Sequence, residues 1–498
     1  GVIRRRVSPA AVLAAVIVVL SGSAGAQETT RELRRELEGM KRQIRKMEEK
    51  IRAQEKRIED LSGAEAEPSR LSGEEAALDQ ALKELGLPAE APPPPSAPPA
   101  LLARPIGAAN LRLIDVSLDA LFAAGTSTEN DESLQSLEGG GHDPRKRGFT
   151  VQNVEVSFLG AIDPWLTGEA HLIYFLDPLE GESIFELEEA FLTTQALPYG
   201  LQLEAGQFFT EFGRLNPKHP HAWHWIDQPV INTRLFGPDG MRGPGFRLAW
   251  LTPLPWFSDL HFGMQNANGE TMASFLANDE FFEERAIGGR PFVERDVESL
   301  RELVYLGRWT NSWNHGEEVT TLLGVSGLVG PNATGTDAET RIYGTDVVMK
   351  WRPANNFRGW PFVLLEAEVM KRDYEADPFA GAGDEDGEAP PKDLFLPGRT
   401  LRDWGFYAQA LGGFRYGWAG GLRVEHAGGS GDSVDGRSAD PFRADRLRLS
   451  PLLVWHPSEF SRLRLQYNFD DTDHLEDDAH SVWLGVEFLY GAHPAHTY

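Results

Sequence analysis

The chain of 498 residues contains no cysteine, which excludes disulfides and thiolate metal sites and leaves histidine and carboxylates to bind any metal. Beyond its first 26 residues it has no apolar run near the 20 or so residues that a membrane-spanning helix needs. Basic residues are short relative to acidic ones, 48 against 75, for a net charge of -27. That balance argues against nucleic acid as a partner. Catalytic signatures are missing as well. No Gly-x-Ser-x-Gly, His-Glu-x-x-His, Walker or Gly-x-Gly-x-x-Gly pattern stands in a workable context, so no enzyme activity is expected. With 41% apolar and 25% charged residues, a large soluble protein and an outer-membrane barrel both remain open.

The first hundred residues divide into three segments. Arg4, Arg5 and Arg6 precede an apolar run from Ala10 to Leu20 and the small residues Ala24, Gly25 and Ala26, the layout of a secretory signal peptide over 1–26. Over 27–62, Leu33, Leu37, Met40, Ile44, Met47, Ile51, Gln54, Ile58 and Leu61 alternate in steps of four and three, which predicts a parallel coiled coil with Gln54 fixing its register. A lone amphipathic helix on the chain's own barrel is the alternative. Residues 63–108 read as a short helix from Glu74 to Leu85 and then an extended spacer through Pro88, Pro92 to Pro95, Pro98, Pro99 and Pro105.

From 109 to 498 the period becomes two. Ile114, Val116, Leu118, Ala120 and Phe122 alternate with Asp115, Ser117 and Asp119, and Leu463, Leu465, Tyr467 and Phe469 alternate with Arg462, Arg464, Gln466 and Asn468. Such segments fit transmembrane β-strands, and about 16 of them are expected in an all-β antiparallel barrel. Short turns near 163, 198, 253, 314, 354, 415 and 457 alternate with long connections near 124–147, 213–243, 267–299, 373–400, 428–441 and 470–479, as short periplasmic turns alternate with outer loops. Trp165, Trp256, Trp313, Trp360 and Tyr416 sit beside the turns and are expected to form an interfacial girdle in outer-membrane lipid. The last strand alternates through Val482, Leu484, Val486, Phe488 and Tyr490, and the sequence ends on an aromatic, Tyr498.

The connection over 213–243 is dense in Pro, Gly, His, Arg and Trp, and its aromatic content argues for an ordered loop inside the barrel. It is the expected constriction. The AGQF..EFGR segment resembles the entry to this loop in the phosphate-selective porin O and P family. More closely, GHDPRKRGFTVQNVE, EFGRLNP.HPH.W..DQP, GPDGMRGPG, GPNATG, RDWG and GAHPAH resemble a group of outer-membrane proteins named zinc-regulated TonB-dependent receptors. The resemblance implies a porin-like barrel and a link to zinc. A TonB-dependent receptor places a globular plug ahead of a barrel of about 22 strands. Here a heptad and a Pro spacer occupy that space, so a passive channel for small solutes or ions is the expected function. A metal-linked receptor or transporter, and an envelope tether using the coiled coil for cell-wall contact, are the alternatives. The porin reading also implies a homotrimer.

Candidate pore residues follow from the alternation. Arg423, Arg446, Arg448, Arg462 and Arg464 fall at lumen-facing positions, and Arg214, Lys218 and Arg234 lie in the constriction candidate. A ring of basic side chains favours anions, unless carboxylates such as Glu425 and Asp445 pair with it. Acidic clusters at Asp384 to Glu388 and Asp470 to Asp478 would instead attract cations. His219, His221, His224 and Asp227 put three imidazoles and a carboxylate within nine residues, a set suited to Zn²⁺ or a similar ion, although no cofactor is required. His493 and His496 recur near the C-terminus.

Overall fold

The computed structural model describes residues 103–106, 109–112, 114–177, 181–381, 395–431 and 440–491. The expected signal peptide, coiled coil and most of the spacer lie outside the described residues, as do the acidic run at 384–388 and His493 and His496. Ala103–Ile106 and Ala109–Arg112 pair as a small antiparallel hairpin.

Sixteen strands close into one barrel. In chain order they are β1 (Asp115–Ser127), β2 (Gly148–Ala161), β3 (Leu166–Leu176), β4 (Ser183–Thr194), β5 (Leu201–Phe209), β6 (Arg242–Leu251), β7 (Phe257–Asn266) and β8 (Leu303–His315). The ring continues through β9 (Val319–Pro331), β10 (Glu339–Trp351), β11 (Phe362–Ala376), β12 (Arg399–Arg415), β13 (Trp418–Ser430), β14 (Arg446–Ser458), β15 (Ser461–Thr472) and β16 (Ala479–Gly491). Each strand pairs antiparallel with its sequence neighbours, and β16 closes on β1 from Ser481 opposite Ser127 to Gly491 opposite Ser117. Closure leaves no unpaired edge, the condition for spanning a bilayer with strands.

The outward positions carry the lipid face. Leu172, Phe185, Phe262, Trp309, Val347, Val369, Leu422, Leu453, Leu465 and Leu484 are all exposed, and they recur at alternate residues around the ring. An apolar exterior around a closed sixteen-strand barrel is an outer-membrane architecture, and the chain belongs in a bacterial outer membrane. Trp165, Trp256 and Tyr416 are exposed beside the short turns, as a girdle requires. Trp360 departs from that expectation. It is buried with Trp225, Phe362, Leu411, Leu452 and Val454 on the inner side of the wall.

The inner face also departs from a uniformly polar lumen. Val304, Leu306, Leu328, Ile342, Met370 and Tyr407 point inward and pack against Phe212, Val230, Ile231, Leu235, Phe236 and Met241 of the connection between β5 and β6. Met272, Phe275 and Leu276 of the next long connection complete this internal core. Each side chain so buried stabilises the packing by about 1.5–3 kcal/mol. Within the core lies helix α1 (Val230–Phe236), all seven of whose residues are buried, ended by Gly237 at φ 80. Gly344 on β10 makes room for Phe212, since a Cβ there would stand 2.7 Å from its ring.

Candidate functional site

Residues 210–241 leave the wall and return to the same point. The Thr210 amide donates to the Met241 carbonyl at 2.9 Å, and Asn216 clamps the two ends, donating to the Thr210 carbonyl (2.7 Å) and accepting from the Met241 amide (2.8 Å). Between these ends the segment touches most of the barrel's circumference. Arg214 and Lys218 reach Glu366 of β11 at 3.3 and 3.6 Å. Burial lowers the Lys218 pKa, opposed by Glu366. His219 and His221 then cross to β2 and β4, and the Trp223 and Trp225 carbonyls accept from Arg464 of β15.

Asp227 is the anchor on the far side. It accepts from Arg423 (2.5 Å), Arg448 (2.7 Å), Gln466 (2.8 Å) and Asn468 (3.0 Å), and this cationic, donor-rich setting overcomes burial to hold its carboxyl far below the usual range. Arg448 also donates to Glu138 and Asp470, so one guanidinium joins the wall to two inward connections, 128–147 and 210–241. The Val230 amide donates to Glu425 at 2.7 Å, and Arg234 reaches the Arg443 and Ala444 carbonyls.

The inward arginines of β13 to β15 therefore do not line open water. Arg423 pairs with Asp227 and Glu425, Arg446 with Asp470, and Arg462 and Arg464 with Glu487, all of them buried. Charges that remain partly accessible lie on the opposite side of the barrel. Arg247 of β6 pairs with buried Glu204 (2.8 Å) and with Glu211 (2.6 Å), and His261 of β7 with Asp259 (2.6 Å); separately, against β11, Arg214 keeps 36% of its side chain exposed.

The four residues grouped by spacing as metal ligands are separated. Asp227 belongs to the arginine anchor. His224 stands among Lys218, Arg462 and Arg214, and burial first and these cations second push its pKa down to about 3, against Glu366. A cationic setting does not suit a metal ligand. His219 and His221 instead meet residues that spacing could not supply. The Glu155 carboxylate of β2 lies 3.1 Å from His219 Nδ1, 3.2 Å from His221 Nδ1 and 3.1 Å from His171 Nδ1 of β3. Glu188 and Glu189 of β4 reach His219 at 2.9 and 2.7 Å. A register shift creates that pair: His171 faces Glu189 and Leu172 faces Leu187, so Glu188 is the extra residue and two consecutive glutamates turn inward. The adjacent Glu188-Glu189 in an otherwise alternating strand was the one signal available in the sequence.

The 128–147 connection adds a titratable contact. Burial raises the carboxyls of Glu138 and Asp143 to about 8 and about 7; nearby Asp227 adds to the rise in both, while Arg448 opposes it. An acid whose folded pKa is raised contributes stability that is fully present below its unfolded value near 4 and is lost as pH rises through the folded value. Amide exchange in 131–147 should thus accelerate between about pH 4 and pH 8 beyond its intrinsic pH dependence and level off above. Glu138→Gln should flatten that excess, and an unchanged profile would count against the titration.

No family model matches the chain. A protein of Aquifex aeolicus (strain VF5), described only as uncharacterized, is 26% identical over 415 residues, covering 78% of this chain and 80% of that one. Among solved structures, the outer membrane channel DcaP of Acinetobacter baumannii covers 76% of this chain and 97% of its own, with 12% identity and a TM-score of 0.47. OprB of Pseudomonas putida gives 10% identity and 0.45 over 76% of this chain and 94% of that chain. The anion-selective porin from Comamonas acidovorans gives 9% and 0.42 over 76% and 98%.

Proposed function

We propose that the chain is a porin-like outer-membrane channel for passive diffusion of small solutes or ions, whose path is set by the in-folded segment 210–241. The observation that carries this reading is a closed sixteen-strand barrel with the long 210–241 connection folded across its interior, beside parts of two other connections. The path runs along the β5 to β7 side, where Glu211, Arg247, Asp259 and His261 keep partial access and Glu204 is buried behind Arg247. These groups stand as compensated pairs, so small conductance steps with a reversal potential near zero in a salt gradient are expected. The buried arginines of β13 to β15 contribute little to selectivity. The internal apolar core favours a second reading, a barrel closed at rest that serves as a gated receptor or an anchor for the N-terminal segment. Planar-bilayer recording of the folded protein separates the two: steady steps support the channel, and silence from protein shown to be folded would favour the second reading.

A further inference from the structure

We propose that Glu155, His171 and His219, with Glu188 and His221 adjoining, form a binding site for one divalent transition-metal ion of the zinc class, which pins the inward segment to the wall. The ligating atoms of the first three lie within 4.8 Å of one another. A tetrahedral ion with ligand bonds of about 2.1 Å holds its ligand atoms about 3.4 Å apart. The spacings here fall a few tenths of an ångström short of that, at 3.1 Å from Glu155 Oε1 to His171 Nδ1, 3.1 Å from Glu155 Oε2 to His219 Nδ1 and 2.9 Å from Glu188 Oε2 to His219 Nδ1.

The cluster is poorly satisfied by protons alone. His219 Nδ1 carries at most one hydrogen, yet it faces Glu155 Oε2 and Glu188 Oε2 together, and Glu155 Oε2 also faces His221 Nδ1. Glu188 is fully buried, and neither of its oxygens has a hydrogen-bond partner beyond that ion pair. Arg242, whose charge also acts on Glu188, makes its direct contacts with Glu186 and the face of Phe209. Glu155, Glu188 and Glu189 thus place three buried carboxylates around the imidazoles, a concentration of negative charge for which a dication competes with the protons the imidazoles would otherwise carry. Two imidazoles with carboxylate oxygens are a donor set for Zn²⁺, Co²⁺ or Mn²⁺ rather than for Ca²⁺ or Mg²⁺.

Three wall strands and the segment supply the ligands together. β2 gives Glu155, β3 gives His171, β4 gives Glu188, and residues 210–241 give His219 and His221. Binding stands whether or not the barrel conducts.

The test is titration of the untagged, folded full chain with Zn²⁺ by calorimetry and with Co²⁺ by visible absorption. One ion per chain and a tetrahedral Co²⁺ band are expected. His171→Ala, Glu155→Gln and His219→Ala should each weaken binding by more than the roughly 10–100-fold that loss of an outer partner costs. His224→Ala should leave it unchanged. Absence of stoichiometric binding, or binding indifferent to Glu155→Gln and His171→Ala, overturns the site. Should those variants lose the heat-resistant gel mobility of a folded barrel, hydrogen exchange of the unmodified chain decides: Zn²⁺ protection confined to 217–222 and its facing strands supports the site, and protection absent or elsewhere overturns it.

Discussion

Excising residues 211–240 and closing the gap with Asn-Gly should leave a folded barrel whose single-channel conductance rises severalfold. The geometry favours the deletion, because Phe209 pairs with Arg242 and the Thr210 amide already donates to the Met241 carbonyl, so a two-residue turn continues the β5–β6 ladder. The hydrogen-bonded ring does not pass through the segment, and sixteen-stranded barrels are wide enough for an aqueous channel. What is lost is the cover over Val304, Leu306, Leu328, Ile342 and Met370, at about 1.5–3 kcal/mol for each side chain fully returned to water. The excised barrel should therefore unfold at lower denaturant than the intact chain while retaining its gel mobility. Replacing Leu306, Leu328 and Ile342 by Thr in the same background should leave the enlarged conductance in place. Unchanged steps in folded, excised protein would mean that another connection occludes the lumen.

The barrel was legible because lipid imposes one rule on every strand. Outward residues must be apolar, so Leu463, Leu465, Tyr467 and Phe469 announce both the strand and its face. The inner face obeys no single rule. On β13 to β15 it is charged and alternation is clear, but on β9 the run Leu322, Leu323, Val325, Leu328 and Val329 is apolar on both faces. That loss of alternation is the trace of the internal core, and a polar-lumen assumption conceals it. Trp360 misled for a related reason: an aromatic beside a turn can face lipid or fold inward over the wall, and sequence position alone does not choose.

The site shows the same limit at finer scale. Alternation placed Arg423, Arg446, Arg448, Arg462 and Arg464 on the inner face, but it carries no information about which carboxylates the connections bring to them. His219 and His221, two apart, reach one side together. His224 comes after the tight turn Pro220–Ala222 and leaves for another side. Glu155, His171 and Glu188 are distant in sequence from the loop, and only closure of the sheet and the shifted register at Glu188 bring them to His219.

Arg448→Met should release two connections at once while leaving the barrel wall intact. The guanidinium donates to Glu138, Asp227 and Asp470 and to the Leu137 carbonyl, all within 2.7–3.0 Å and all buried. Removing it takes the shared cation from Asp227 and Asp470, which keep only Arg423 and Arg446, and leaves the protonated Glu138 carboxyl without its donor. Breaking a buried pair by removing one partner costs about 3–5 kcal/mol, and tenfold in an equilibrium corresponds to about 1.4 kcal/mol, so local opening should increase roughly 100- to 3000-fold. Amides at Glu138 and from Asp227 to Asn232 should show that acceleration, while amides in β9 to β11 change little. Adding Asp227→Asn and Glu138→Gln to Arg448→Met should recover much of the protection, because neutral amides in the same space no longer need a counter-charge. Exchange unaffected by Arg448→Met would show that the internal apolar core alone holds the segment in. Acceleration undiminished in the triple variant would show that the guanidinium acts through packing and its bond to the Leu137 carbonyl, and not through charge.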